Sequence, residues 1–349
     1  MKKAFLCLCL AGSVLPSAHS LTIVVDYTYD TNNFFSTPER RGAMQAVADR
    51  FSSIISEPLL AIDGNYMGGS TDWRIGFTHP GTGASFEIST APNQASDLLV
   101  GIGASPANLY NSAFVLPANT WILYAGGRAG LGSAGVGGTG TGTNITSVFD
   151  DANGPMHRGA IPNTPANTAN DLPVWGGAIS FESTANWHFS LATLAPAGTT
   201  DFYSIALHEV GHALGLSTNW NQWKAAGGQY TGAAAVAAYN ADNGTALTTL
   251  NLVSATDDHW QDGAYDSFIF TLGNPNLVGT VGLAFRQDLL MEPIANFGSP
   301  LPRRFELTNV DVAALRDLEW AIVPEPSAAL LFFAGTSALG FARGRRTRI

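Results

Sequence analysis

The chain has 349 residues, enough for one large domain or two ordinary ones. Only 13% of the residues are charged and 46% are hydrophobic, which is ample apolar content for a core and argues against intrinsic disorder. The formal net charge of −10 disfavours binding to phosphate backbones and anionic lipid, so we expect no nucleic-acid partner.

Residues 1–20 have the pattern of a secretory signal peptide. Two lysines follow the initiating methionine, an apolar run covers residues 4–14, and residues 18–20 offer a cleavage site with small residues at both ends. Both cysteines, Cys7 and Cys9, lie in this leader. We therefore expect an exported protein without disulfides, whose metal sites can use only histidines and carboxylates.

The first half of the mature chain predicts strands around one helix. Residues 21–25 are strand-like, and residues 38–55 place apolar side chains at helical spacing. Residues 72–103 predict short strands and turns, and a further strand is predicted at 121–124. The glycine-rich stretch 126–143 predicts a flexible loop or a surface hairpin, because no Gly-Lys-Ser/Thr sequence follows that would indicate a phosphate-binding loop.

Two further strands are predicted at residues 174–181 and 187–189. His188 alternates with apolar neighbours in the second of them, which favours a structural or surface histidine over a metal ligand. Strands and a helix that precede a second, buried helix predict an α+β or mixed α/β domain.

A predicted helix over residues 201–216 carries the main functional signal, the sequence His208-Glu209-x-x-His212. Histidines four residues apart lie on one face of a helix and can bind one metal ion. Glu209 lies toward the same cleft, where it can take a proton from a metal-bound water. Gly215 is expected to end the helix by adopting the left-handed conformation.

A catalytic zinc site normally has three protein ligands and a water molecule, so this helix supplies only part of one. His259 is the only histidine after the helix and is the first candidate for the third ligand. Asp257 or Asp258 could bind the metal instead, or could orient His259 through its second ring nitrogen.

The end of the domain predicts a final helix. Residues 307–320 predict an amphipathic helix with Thr308 as its N-cap. Its inward-facing side chains are expected to be Val312, Leu315 and Leu318.

These features resemble the metzincin zinc metallopeptidases, whose helix motif continues to a third histidine three residues after the glycine. Thr218 occupies that position here, and a threonine hydroxyl is a poor zinc ligand. The delayed His259 is similar to that of leishmanolysin-type members, in which an insertion separates the third histidine from the helix. The resemblance implies one zinc ion on His208, His212 and His259, with Met291 below the site in a methionine turn.

The resemblance also implies a fold and an activity. It implies a metalloprotease domain over residues 21–322, in which an upper subdomain of about 21–215 holds a twisted mixed β-sheet and the active-site helix. A lower subdomain of about 216–322 would hold the methionine turn and the final helix, as in matrixins. The activity would be that of an exported endopeptidase acting on protein or peptide substrates, with Glu209 as general base. Substrate would add as a strand to an edge strand above the helix, for which residues 177–182 are the candidate.

Residues 323–349 form a separate signal. A Pro-Glu-Pro sequence at 324–326 is followed by an apolar run over residues 328–342 and by an arginine cluster. Fifteen residues are marginal for a membrane span, and an ordinary tail anchor is one reading. The order of these parts resembles the PEP-CTERM sorting signal of Gram-negative bacteria. That resemblance implies transient membrane anchoring, processing by an exosortase, and delivery to the cell envelope or the extracellular space.

Two other functions are compatible with the sequence. A non-catalytic surface or extracellular-matrix protein with a vestigial or structural zinc site would account for Thr218 at the usual ligand position. The intact Glu209 favours an enzyme, because a structural site does not need the base. A carbohydrate-binding module rests only on the aromatic content.

Overall fold

The computed structural model describes residues 21–59, 61, 73–89, 107–110, 115–144, 175–218, 220, 223–253, 259–270, 286–293 and 304–323. Within these residues it is a mixed α/β structure with four helices and several sheets. The helices are α1 (Pro38–Ile54), α2 (Phe202–Ala213), α3 (Ala233–Asn243) and α4 (Asn309–Asp317).

The strands are short, and most belong to two four-stranded sheets. In chain order they are β1 (Thr22–Asp26), β2 (Trp73–Thr78), β3 (Ser85–Ser89), β4 (Ala107–Tyr110), β5 (Thr120–Arg128), β6 (Gly135–Thr139), β7 (Thr141–Asn144), β8 (Gly176–Glu182), β9 (Trp187–His188), β10 (Thr200–Asp201), β11 (Lys224–Ala225), β12 (Gln229–Tyr230), β13 (Leu250–Asn251), β14 (Asp266–Phe268) and β15 (Arg286–Asp288).

The sheet that supports the site has the strand order β1-β5-β8-β6. Strands β1, β5 and β8 run parallel, and β6 runs antiparallel to β8. Helix α2 packs against β6, β8 and α1. The second sheet, β4-β3-β2-β7, covers the opposite face through a small apolar cluster that includes Phe77, Tyr124 and Trp175. Helix α2 therefore lies on one face of the first sheet, and the second sheet covers the other face.

The main apolar core extends from Leu21 to Trp320 and is shared by α1, α2 and α4. It contains side chains from both sides of residue 215, where the sequence predicted a division into subdomains. That division stays a prediction. Among the described residues, no helix has the length and apolar content needed to cross a membrane. The leader and the apolar run at 328–342 lie outside the described residues.

The prediction of a loop or hairpin over residues 126–143 is wrong. Residues 126–128 form the end of β5, residues 135–139 form β6, and residues 141–143 form most of β7. The glycines allow close packing: a Cβ on Gly137 would lie 2.0 Å from the backbone oxygen of Glu209, and one on Gly140 would lie 2.0 Å from the Trp175 ring. The glycines allow the backbone to approach α2 and Trp175 closely. Composition alone does not distinguish such a tightly packed segment from a flexible loop.

The assignment of residues 177–182 to an edge strand is also wrong. They lie in β8, which pairs with β5 on one side and with β6 on the other. A strand paired on both sides has no free backbone groups for another chain. Within the described residues, β6 is the edge strand that lies beside α2. The order of the strands along the chain did not indicate this, because it differs from their order in the sheet.

The helix predictions agree with the structure except at their ends. Asp201 caps α2 by accepting a hydrogen bond from the Ser204 N–H at 3.1 Å, so the helix begins one residue later than predicted. It ends at Ala213, and Gly215 follows with a φ of 97°, as expected for a residue that terminates a helix. Thr308 caps α4 in a capping box, and Val312, Leu315 and Leu318 are buried as predicted.

Candidate metal centre

Helix α2 is buried along its whole length, so its polar side chains must have partners inside the protein. His208 lies on the face that contacts the turn at residues 289–291, and its Nδ1 is 2.7 Å from the Leu290 carbonyl oxygen. The Nδ1 of His212 is 3.1 Å from the Leu216 carbonyl oxygen. A carbonyl oxygen can only accept, so each Nδ1 carries the hydrogen and each Nε2 is left as a potential metal ligand.

Burial, followed by the neighbouring His212, lowers the pKa of His208 well below its ordinary value, despite the hydrogen bond to the Leu290 carbonyl. The imidazole is therefore neutral at physiological pH. Neutral imidazole is the form that binds a metal ion.

The structure brings His259 to the two helix histidines. Its Nε2 is 3.2 Å from the His212 Nε2, and its ring stacks on that of His208 with the centroids 5.3 Å apart. One nitrogen from each of the three residues can be chosen so that all lie within 4.8 Å of one another. The three histidines lie close enough to bind one metal ion.

The donor set fits a zinc ion. Two nitrogens at about 2.0–2.1 Å from one tetrahedral zinc would be roughly 3.4 Å apart, close to the shortest separation seen. The widest separation, up to 4.8 Å, requires a side-chain shift on the order of 1 Å. Three imidazoles also suit copper, nickel and iron, so these residues by themselves do not select the metal.

Glu209 lies against the edge strand β6. Its Oε2 accepts a hydrogen bond of 2.6 Å from the Gly137 N–H, and the residue is 5% exposed. Burial raises the pKa of Glu209 to about 8, and the hydrogen bond from Gly137 lowers it in part. The second carboxylate oxygen, Oε1, is held by none of the hydrogen bonds within the described residues.

Met291 packs against helix α2 at Gly211. The residue is fully buried, and a Cβ on Gly211 would lie 2.9 Å from its Sδ. Gly211, in the middle of the motif, therefore permits the close approach of Met291. Its role in supporting the site stays a prediction.

Thr218 and His188 have hydrogen-bond partners outside the three-histidine cluster. The Thr218 hydroxyl donates to the His212 carbonyl oxygen at 3.0 Å, which satisfies the end of the helix. His188 has its Nε2 3.0 Å from the Thr193 carbonyl oxygen. The alternatives Asp257 and Asp258 lie outside the described residues.

Two features of the site were missed from the sequence. The first is β6, whose glycines were interpreted as loop. The second is Asp311, a fully buried carboxylate in the first turn of α4 that accepts hydrogen bonds from Leu290 N at 3.0 Å and from Thr308 Oγ1 at 2.7 Å. An acidic residue three positions after a threonine cap was the available signal, but it indicates only a helix start.

No family model matches this chain, and no curated protein matches it either.

Proposed function

We propose that the protein is a zinc-dependent endopeptidase of the metzincin type. The observation that carries the proposal is the convergence of His208, His212 and His259 beside the buried carboxylate of Glu209. Two histidines at helical spacing with an intervening glutamate are the arrangement used by zinc peptidases. A structural site would have no use for that glutamate.

Three histidines would hold the ion and leave one position for water or substrate. A zinc ion bound there supplies a Lewis acid and lowers the pKa of its water toward about 7. A cation bound to the three histidines would favour the ionised form of Glu209, whose pKa burial otherwise raises to about 8. The ionised carboxylate would act as the general base: the Gly137 N–H holds Oε2, and Oε1 would take the proton of the attacking water. The same carboxyl group then donates that proton to the leaving amine.

Strand β6 supports a peptide as the substrate. The Gly137 N–H bonds to Glu209 and not to β8, so part of the β6 backbone faces away from the sheet. An extended peptide can add to such an edge through main-chain hydrogen bonds. The peptide would then lie directly beside Glu209. Strand β6 therefore takes the substrate-binding role first assigned to residues 177–182.

Export and sorting belong to the same proposal. The leader at 1–20 and the tail at 324–349 lie outside the described residues, so their roles rest on the sequence resemblances alone. We propose a protein of the Gram-negative cell envelope or extracellular space, with an exosortase as its processing partner.

The test is Glu209→Gln, which keeps the shape of the side chain but removes the base. We expect casein cleavage to fall at least about 100-fold, because general-base catalysis contributes roughly 10²–10⁴. Zinc content should stay near one ion per chain. Glu39→Gln, at an exposed position in α1, is the matched control and should cleave like the parent.

The outcomes separate the enzyme from the alternative. Unchanged cleavage by Glu209→Gln contradicts the mechanism. A parent protein that binds zinc but cleaves nothing, with or without a chelator, supports the non-catalytic surface protein instead.

A further inference from the structure

His259 reaches the site from outside helix α2. It lies 47 residues beyond His212, whereas His208 and His212 are spaced by the helix itself. Something other than helical geometry must therefore set the position of the third imidazole.

The backbone around His259 is held as a short extended segment. Its carbonyl oxygen accepts a hydrogen bond of 3.0 Å from the Val253 N–H. The next residue, Trp260, forms an antiparallel bridge with Leu252. Because neighbouring side chains on an extended backbone point to opposite sides, Trp260 points into the core where His259 points to the site.

Trp260 is fully buried and anchored by both its ring and its polar groups. Its ring packs on Trp220 with centroids 4.3 Å apart and on Tyr230 at 4.9 Å. Its backbone N–H donates to the Met291 carbonyl oxygen at 3.0 Å. Its indole N–H donates to the Asp311 Oδ1 at 3.3 Å.

The same Asp311 carboxylate also contacts the turn that orients the first ligand. It accepts hydrogen bonds from Leu290 N at 3.0 Å and from Met291 N at 3.4 Å. The Leu290 carbonyl in turn accepts from the His208 Nδ1. One buried carboxylate thus connects the segment that carries His259 to the segment that orients His208.

We propose that Trp260 is the positioning residue of the third ligand. Its indole N–H, bonded to Asp311, aligns the His259 segment with the Leu290-Met291 turn and so sets the affinity of the site for the metal ion. This rests on the metal binding in the proposed function, but not on peptidase activity. A tryptophan that only filled the core would act through its ring and would not need the N–H group.

The test is the zinc affinity of the full chain carrying Trp260→Phe, measured by competition with a chromogenic chelator. Phenylalanine keeps an aromatic ring and removes the donor. We expect zinc affinity to fall roughly 10- to 100-fold, the usual cost of losing a group that orients a metal ligand. Trp187→Phe is the control, because its indole donates a comparable hydrogen bond of 2.8 Å to the Glu182 carbonyl in a separate aromatic cluster. It should bind zinc like the parent.

A double-substitution cycle distinguishes positioning from general packing. In a His259→Ala background, Trp260→Phe should cause no further loss of zinc affinity, since the residue it positions is absent. An equal further loss would overturn the proposal, and so would unchanged affinity in a folded Trp260→Phe variant. Loss of the cooperative urea-unfolding transition in the zinc-free variant would also overturn it, because Trp260 would then be required for the fold.

The readout uses zinc and no substrate. The proposal can therefore stand if casein cleavage is never detected. It can equally fail while the Glu209 mechanism holds.

Discussion

Neighbouring glycines of β6 differ in what a side chain at each position would contact. A Cβ on Gly137 would lie 2.0 Å from the backbone oxygen of Glu209, a separation that atoms do not adopt. A Cβ on Gly138 would meet nothing within 4 Å. The close approach at Gly137 is also what allows its N–H to reach the Glu209 carboxylate. Because Gly137 has no side chain, strand β6 can lie against Glu209, the proposed general base.

Gly137→Ala should lower the free energy of unfolding by roughly 1–3 kcal/mol, the usual cost of inserting an atom into a packed contact. Gly138→Ala, in the same strand, should change it by no more than about 0.5 kcal/mol. Urea unfolding of both variants measures the difference. Equal stabilities would show that β6 does not approach α2 as closely as described.

Helix α3 depends on another helix for its cap. Its N-cap residue, Gly232, provides no side-chain hydrogen bond. Asp317, the last residue of α4, accepts hydrogen bonds from Ala234 N at 2.8 Å, Ala235 N at 3.0 Å and Tyr230 Oη at 3.1 Å. A carboxylate at a helix N-terminus satisfies unpaired N–H groups and the positive end of the dipole. The two helices are therefore stabilised as a pair.

Asp317→Ala should destabilise the protein by about 0.5–2 kcal/mol, as loss of an N-cap does. The matched control is Asp49→Ala, because Asp49 is exposed and its carboxylate accepts from Gln45 within α1. That variant should change the free energy of unfolding by about 0.5 kcal/mol or less. Thermal unfolding of both variants compares them, and an equal effect would contradict the capping role.

A buried ion pair joins the two ends of the domain. Arg50 of α1 and Glu306, just before α4, are 2.8 Å apart, with side chains 2% and 3% exposed. Glu306 also accepts a hydrogen bond of 3.0 Å from the Tyr203 hydroxyl at the start of α2. Because both charges are buried, removing one leaves the other without compensation. The site helix is thus connected to both ends of the described chain.

Glu306→Gln should reduce the free energy of unfolding by about 3–5 kcal/mol. Asp266→Asn breaks an ion pair with Arg286 whose side chains are 51% and 30% exposed, and it should cost at most about 1 kcal/mol. Urea unfolding at low and high salt measures both. Raised salt should reduce the second effect and leave the first nearly unchanged, and the reverse pattern would contradict the burial of Arg50.

How much could be predicted from the sequence depended on the range of the contacts involved. The helix carrying His208 and His212, its terminating Gly215 and the Thr308 cap were predicted, because each follows from residues within a few positions. The strand β6 and the central place of β8 were not, since pairing order is set by contacts between distant segments. Glycine-rich sequence is compatible with both a loop and a tightly packed strand.

By itself, the sequence determined two histidines on one helical face, since residues four apart lie close together at 3.6 residues per turn, and a glutamate about 100° further around the helix. It also predicted His259 as the third member, by elimination among the histidines. Only the tertiary structure decided that His259 meets the other two, that β6 is the strand beside Glu209, and that Asp311 connects the segments around the site. These contacts join residues tens of positions apart, and their geometry comes from the packing of the whole core.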